Sequence, residues 1–128
     1  MKVAFIGLGN MGASLAKAVA KEVAATDLLL VNRSPQKVQD FISQYGGTAS
    51  ELEQAFQEAE VIFLGVKPYQ ICPLLEEYQD ILTQRSNLLL VSMAAGLELE
   101  KLAEVIQNDQ LGLIRIMPNT PEIGRAHV

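Results

Sequence analysis

Along this chain, short unbroken apolar runs alternate with stretches in which apolar residues return every three or four positions. Lys2 leads into Val3-Ala4-Phe5-Ile6, and later runs are Leu28-Leu29-Leu30-Val31, Val61-Ile62-Phe63-Leu64, Leu88-Leu89-Leu90-Val91 and a segment around Leu113-Ile114-Arg115-Ile116. Runs of this kind, without polar alternation, predict parallel strands covered on both faces. The intervening stretches carry their apolar residues at helical spacing: Met11, Leu15, Ala18 and Val19; Val38, Phe41, Ile42 and Tyr45; and Leu52, Ala55, Phe56 and Ala59. Ile71, Leu74, Leu75, Tyr78 and Leu82 predict one further helix, and Leu99, Leu102, Ala103 and Ile106 another. Punctuation agrees with this reading. Ser34 is placed to cap a helix that Pro35 opens, Gly46-Gly47 stops that helix, and Ser50 with Glu53 has the spacing of a capping box. Thr48-Ala49 leaves room for only a short strand.

Strand and helix alternate throughout and nothing reads as a hairpin, which implies right-handed crossovers and an open parallel sheet with helices on both faces. In such sheets the ligand crevice lies outside the carboxyl ends of the strands, and the small and polar residues of this chain cluster there. The first of these turns, Gly7-Leu8-Gly9-Asn10-Met11-Gly12, is a GxGxxG motif between a strand and a helix. Gly7 permits a tight turn, Gly9 lets the backbone approach a pyrophosphate, and Gly12 lets helix and strand pack closely. The first helical N–H groups lack intrahelical partners and lie at the positive end of the helix dipole, so they suit a diphosphate. The fold class is therefore α/β, a Rossmann-type doubly wound parallel sheet in a single domain, and it is expected to bind a dinucleotide, the alternative being a merely structural glycine turn.

The second strand bears on which dinucleotide. An acidic residue at its end would bond the ribose hydroxyls of NAD and repel the 2′-phosphate of NADP. Here stand Asn32, Arg33 and Ser34, which offer an amide, a planar guanidinium and a hydroxyl, so NADP(H) is preferred and NAD(H) remains possible. The alternative is that Arg33 is a solvated charge and Ser34 only a cap. Lys67 follows a buried strand and precedes Pro68, which pins its backbone at the sheet edge beside cofactor or substrate; otherwise it is an exposed loop lysine. Ala94, Ala95 and Gly96 are small where a flat ring would need close approach. In Met117-Pro118-Asn119-Thr120-Pro121, two prolines hold Asn119 and Thr120 in an extended backbone that could bond a polar substrate or connect to another domain.

Composition narrows the setting. With 128 residues and 49 % hydrophobic content the chain suits one domain and one core. A net charge of −5 and a pI near 4.8 disfavour a nucleic-acid or anionic-membrane surface. The single Cys72, set among apolar residues and expected in the core, excludes an internal disulfide and a cysteine metal cluster, no run reaches the length of a membrane span, and a cytoplasmic location is expected. No metal site, carboxylate pair, nucleophile elbow or Walker loop is present, so the chemistry belongs to a bound cofactor or to residues elsewhere.

Taken together, Phe5 to Gly12, Asn32-Arg33-Ser34-Pro35, Val66-Lys67-Pro68, Ser92 to Gly96 and Met117 to Pro121 resemble pyrroline-5-carboxylate reductase in order and spacing. The glycine block also looks like that of hydroxyisobutyrate and related β-hydroxyacid dehydrogenases; Val-Lys-Pro and Met-Pro-Asn-Thr-Pro favour the reductase. The resemblance implies NAD(P)H-dependent reduction of the small molecule 1-pyrroline-5-carboxylate to L-proline. It implies that Gly7, Leu8, Gly9, Asn10, Met11 and Gly12 hold the pyrophosphate, and that Asn32, Arg33 and Ser34 hold the adenosine ribose phosphate. Gly65, Val66, Lys67, Pro68 and Ala95 would line the nicotinamide half, and Met117, Asn119 and Thr120 would border the substrate. Leu52 stands where many relatives place an asparagine that touches the adenosine end, a bond leucine cannot make. The family continues into a helical dimerisation domain that supplies the proton donor, so the resemblance implies a homo-oligomer built on a dimer for the full-length form and an inactive fragment here. Residues 1–121 are expected to be the nucleotide-binding domain. Ile123-Gly124-Arg125-Ala126-His127-Val128 departs from the family and reads as translated sequencing-library adapter, so 122–128 is expected to be non-native and His127 to carry no function. Two further readings stay open: a stand-alone nucleotide-binding regulatory module, and a fragment of a β-hydroxyacid dehydrogenase.

Overall fold

Six strands form one parallel sheet in the computed structural model of the chain, which describes residues 1–94 and 98–116. In chain order the strands are β1 Val3–Ile6, β2 Leu28–Val31, β3 Thr48–Ala49, β4 Val61–Leu64, β5 Leu89–Ser92 and β6 Gly112–Arg115. Their spatial order is β3-β2-β1-β4-β5-β6, so the sheet grows one way from β1 and then restarts on its other side at β4. That reversal leaves a crevice above β1 and β4, where the helices that follow these two strands depart to opposite faces. The helices are α1 Asn10–Ala20, α2 Pro35–Tyr45, α3 Leu52–Glu58, α4 Pro68–Glu77, α5 Gln79–Leu82 and α6 Leu99–Ile106, with a 3-10 turn at Ala25–Asp27. This is the doubly wound, Rossmann-type architecture that the alternating pattern predicts.

Side-chain alternation along each strand divides the core in two. Ala4 and Ile6 of β1, Leu29 of β2, Ile62 and Leu64 of β4 and Leu90 of β5 face α3 to α6. Val3, Phe5, Leu28 and Leu30 face α1 and α2, joined there by the half-buried Val61 and Phe63. Phe5 and Phe63, directly opposite in the β1–β4 register, stack with ring centroids 4.5 Å apart. No helix among the described residues is long and apolar enough to cross a membrane.

The structure corrects the local predictions at four points. The buried stripe of α1 runs through Gly12, Leu15, Ala16 and Val19, and Ala18 is exposed. Small residues face the sheet there so that the helix axis can approach. The helix expected across Ile71 to Leu82 is two helices, because Tyr78 (φ −108°, ψ 20°) leaves the helical region and its carbonyl starts α5 by accepting from Ile81 and Leu82. Ser50 does not form a capping box: α3 begins one residue later, on Glu51, and the Ser50 hydroxyl bonds Gln54 and the Glu51 carbonyl. Cys72 is half-buried against the core rather than within it.

Candidate functional site

The carboxyl ends of the strands are tied at one level by backbone bonds that continue the ladder one residue beyond each strand. Gly7 N–H donates to the Val31 carbonyl at 2.7 Å, Gly65 N–H to Ile6 at 2.7 Å and Met93 N–H to Leu64 at 3.2 Å. These bonds bring the turns after β1, β2, β4 and β5 side by side along a single edge.

Within the first turn the glycines are not equivalent. Gly7 has φ +98°, and a Cβ there would lie 2.7 Å from the Gly65 carbonyl carbon. A Cβ on Gly12 would lie 2.5 Å from the Gly7 carbonyl oxygen. The protein's own packing requires both residues to be glycine. Gly9 differs: its φ is an ordinary −71°, and a Cβ would meet nothing within 4 Å. Helix α1 starts on Gly9 with no side-chain cap and no acidic residue in its first turn, and the first intrahelical bond runs from Ala13 N–H to the Gly9 carbonyl at 2.8 Å. The N–H groups of Asn10, Met11 and Gly12 therefore point out of the helix into the crevice, an arrangement suited to an anion.

The second turn is bound to the first. Asn32 Oδ1 accepts from Leu8 N–H at 2.9 Å, and Asn32 Nδ2 donates to the Ser34 carbonyl at 3.3 Å. Arg33 is exposed and makes no bond or ion pair with any described residue, so its guanidinium is available. Ser34 occupies the N-cap position of α2, with Pro35 in its first turn, yet its hydroxyl makes no capping bond. Beyond Asn32 opens a cleft of about 580 Å³ between the β2–α2 turn and the start of α3, walled by Val31, Pro35, Ser50, Leu52 and Tyr78. Apolar periodicity along the chain carries no sign of this cleft; the only local signal is the polar Ser50-Glu51 pair following β3. Burial in its wall raises the Tyr78 phenol above its ordinary pKa, with the charges of Glu77, Glu53 and Glu51 acting in the same direction.

At the third turn Gly65 is held against Gly7 and Met93: a Cβ would come within 2.9 Å of the Gly7 carbonyl oxygen and of Met93 Cε. Val66 is half-buried against the core. Lys67 is exposed and caps α4 through its backbone, donating N–H to Gln70 Oε1 at 3.0 Å and accepting from Gln70 N–H at 2.9 Å, with Pro68 at the first helical position. Its ammonium makes no bond or ion pair with any described residue. At the end of β5, Ser92 is buried and its hydroxyl accepts from Ala94 N–H at 3.3 Å. Ala95 and Gly96 of that turn, the substrate candidates Met117, Asn119 and Thr120, and the segment 122–128 lie outside the described residues. Among the described residues no group of His, Cys, Asp and Glu is placed to hold a metal ion.

Comparison with known proteins puts this geometry in a lineage. Pyrroline-5-carboxylate reductase of Escherichia coli K12 is 38 % identical over 98 % of this chain, and the chain spans 46 % of that relative's length. The Arabidopsis thaliana reductase is 35 % identical over 94 % of the chain, which spans 43 % of it. Among solved structures, the Coxiella burnetii reductase superposes with a TM-score of 0.83 at 29 % identity, covering 97 % of this chain and 46 % of its own. The Plasmodium falciparum reductase, solved with NADP bound, gives 0.74 at 27 % identity, covering 97 % of this chain and 44 % of its own. A 3-hydroxyisobutyrate dehydrogenase from Mycobacterium tuberculosis shares the fold, with a TM-score of 0.69 at 16 % identity over 91 % of this chain and 39 % of its own. The resemblance to pyrroline-5-carboxylate reductases thus extends over nearly the whole chain. The family described as NADP oxidoreductase, coenzyme F420-dependent, matches residues 2–96, the span containing the first, second and third turns, and the chain belongs to that family.

Proposed function

We propose that residues 1–121 are the nicotinamide-nucleotide-binding unit of an enzyme that reduces 1-pyrroline-5-carboxylate to L-proline, with NADPH as the preferred coenzyme and NADH as a usable one. The observation that carries the nucleotide part is Gly9. The protein's own packing needs Gly7 and Gly12, but nothing within 4 Å of a Cβ at Gly9 explains a glycine there. Space kept free beside uncapped helix amides fits a ligand whose phosphates lie against the backbone. The coenzyme would supply a hydride for the imine carbon, and a proton must reach the imine nitrogen.

The chain's own residues have distinct parts in this reading. The amides of Gly9, Asn10, Met11 and Gly12 hold the diphosphate. Arg33 and Ser34 meet the ribose phosphate, and the cleft beside Leu52 takes the adenosine end. Lys67, pinned by Gln70 and Pro68, sits on the nicotinamide side with Gly65, Val66 and Ala95, and Met117, Asn119 and Thr120 border the substrate. No residue here is assigned the proton transfer. The substrate rests on the names of the relatives, the cytoplasmic location on the composition, and an oligomer built on a dimer in the full-length form on the family resemblance.

Gly9→Ala tests the reading. The variant should fold as the parent does and lose at least about tenfold in NADPH affinity by titration calorimetry, because the added methyl occupies the approach to the diphosphate. Unchanged affinity in a folded variant, or no uptake of either coenzyme by the parent, would overturn it. The substrate assignment is checked separately, by assaying a longer chain that includes this unit for imine and for β-hydroxyacid turnover.

A further inference from the structure

The Asn32 carboxamide joins two turns one residue beyond the backbone bond from Gly7 N–H to the Val31 carbonyl. Its orientation follows from its neighbours: Leu8 N–H requires an acceptor and the Ser34 carbonyl requires a donor, so Oδ1 faces the glycine loop and Nδ2 faces the β2–α2 turn. Leu8 is the residue immediately before Gly9, and its side chain is anchored in the core at 5 % exposure. A fixed N–H on Leu8 therefore sets the direction in which the next peptide units leave the sheet edge.

We infer that Asn32 is a positioning residue, a strut that aims the Gly9 to Gly12 amides, and not a contact to the 2′-phosphate. This rests on the nucleotide-binding reading above. A strut acts on the diphosphate, which both coenzymes share, so its loss should weaken both alike. A direct contact to the 2′-phosphate, the role its place at the end of β2 first suggests, would affect NADPH alone. Asn32→Leu removes both bonds at similar volume and leaves the half-buried Leu8 N–H unpaired. Asn32→Asp keeps an acceptor for Leu8 but has no donor for Ser34 or for a ligand.

The test uses the full 128-residue chain, with hydrogen exchange at the Leu8 amide measured without nucleotide and titration calorimetry with NADPH and NADH. Asn32→Leu should speed Leu8 exchange and weaken both coenzymes by the same factor, about tenfold for one amide left unpaired. Arg33→Ala, by contrast, should weaken NADPH more than NADH. Unchanged Leu8 exchange in Asn32→Leu, or a loss confined to NADPH, overturns the inference while leaving the nucleotide reading in place. If the leucine variant does not fold, Asn32→Asp carries the test. Protected Leu8 with NADH affinity within about threefold of the parent supports the strut, and protected Leu8 with NADH affinity lost overturns it. A parent chain that takes up neither coenzyme removes the nucleotide reading and this inference together.

Discussion

Single atoms decide whether the sheet-edge turns can exist, and the glycines separate into two kinds. At Gly12 an added methyl would lie 2.5 Å from a backbone oxygen that cannot move without the rest of the loop. Gly12→Ala should therefore cost about 1–3 kcal/mol in urea unfolding and also abolish coenzyme binding. Gly65→Ala meets one rigid and one yielding neighbour, the Gly7 carbonyl and the flexible end of Met93, and should fall at the lower end of that range. Gly9→Ala should change stability by no more than about 0.5 kcal/mol: the lower chain entropy of the unfolded state favours alanine, while the N-cap position disfavours it. An ordering in which Gly9→Ala was the most damaging of these variants to stability would contradict the packing described above. The packing roles of Gly7 and Gly12 were legible in the sequence, because a motif with a strand before it and a helix after it fixes where each of them must fall. The strut from Asn32 was not, since its partner Leu8 is 24 residues away and is a backbone amide.

Two helices in this fold, α3 and α5, end on side chains that arrive from distant parts of the chain. At the carboxyl end of α3, Glu60 N–H donates to the Lys2 carbonyl and not back into its own helix, so the Phe56 carbonyl is left over. Arg85 takes it with Nη1 and the Ala59 carbonyl with Nη2, the latter at 2.7 Å. Asn108 does the same for the next turn, donating Nδ2 to the carbonyls of Leu82 at 2.8 Å and Arg85 at 2.7 Å. Arg85→Met keeps most of the apolar stem but leaves two carbonyls unpaired, and should cost roughly 2–3 kcal/mol without altering coenzyme affinity. Urea unfolding and calorimetry on the same preparation check both halves of that statement. Such staples explain why element order could be read from the sequence while the ends of α3 and α5 could not, in contrast to α2, which starts at Pro35 and stops at Gly46 as its punctuation predicts. The strands announce themselves as unbroken apolar runs. By contrast the break at Tyr78 lies within a continuous helical periodicity, because its ring continues the buried face by stacking on Phe56 at 5.0 Å between centroids. Ser50 and Glu53 have the spacing of a capping box, but α3 begins on Glu51 and leaves that spacing unused.

For the molecule as a whole, pH acts through groups that fasten the start of the chain and the wall of the cleft. Lys2 Nζ and Glu58 Oε1 meet at 2.7 Å, joining the segment before β1 to the end of α3. The hydrogen bond to Lys2 holds the Glu58 carboxyl below its ordinary value of 4.5, and the bond to Glu58 holds the Lys2 ammonium above its ordinary 10.5. A depressed carboxylate contributes stability above its unfolded value and loses it as pH falls through the folded one. A raised lysine contributes below its unfolded value and loses it as pH rises through the folded one. The difference in stability between the parent and Glu58→Gln should therefore be widest between pH 4.5 and 10.5, close at both extremes, and shrink in high salt because both side chains are 40 % exposed. Tyr78 adds a separate alkaline term. Burial first, and then the neighbouring glutamates, raise its phenol above the ordinary 10.0, so the unfolded chain ionises before the folded one and stability falls as pH climbs past that value. Tyr78→Phe removes the titrating group but keeps the ring on Phe56, so it should flatten the alkaline slope and leave the acid limb untouched. Urea melts of parent, Glu58→Gln, Tyr78→Phe and the double variant across the pH range separate the two terms. The sites share no contact, so the effects should add, and a marked non-additivity would show that the start of the chain and the cleft wall are coupled through α3.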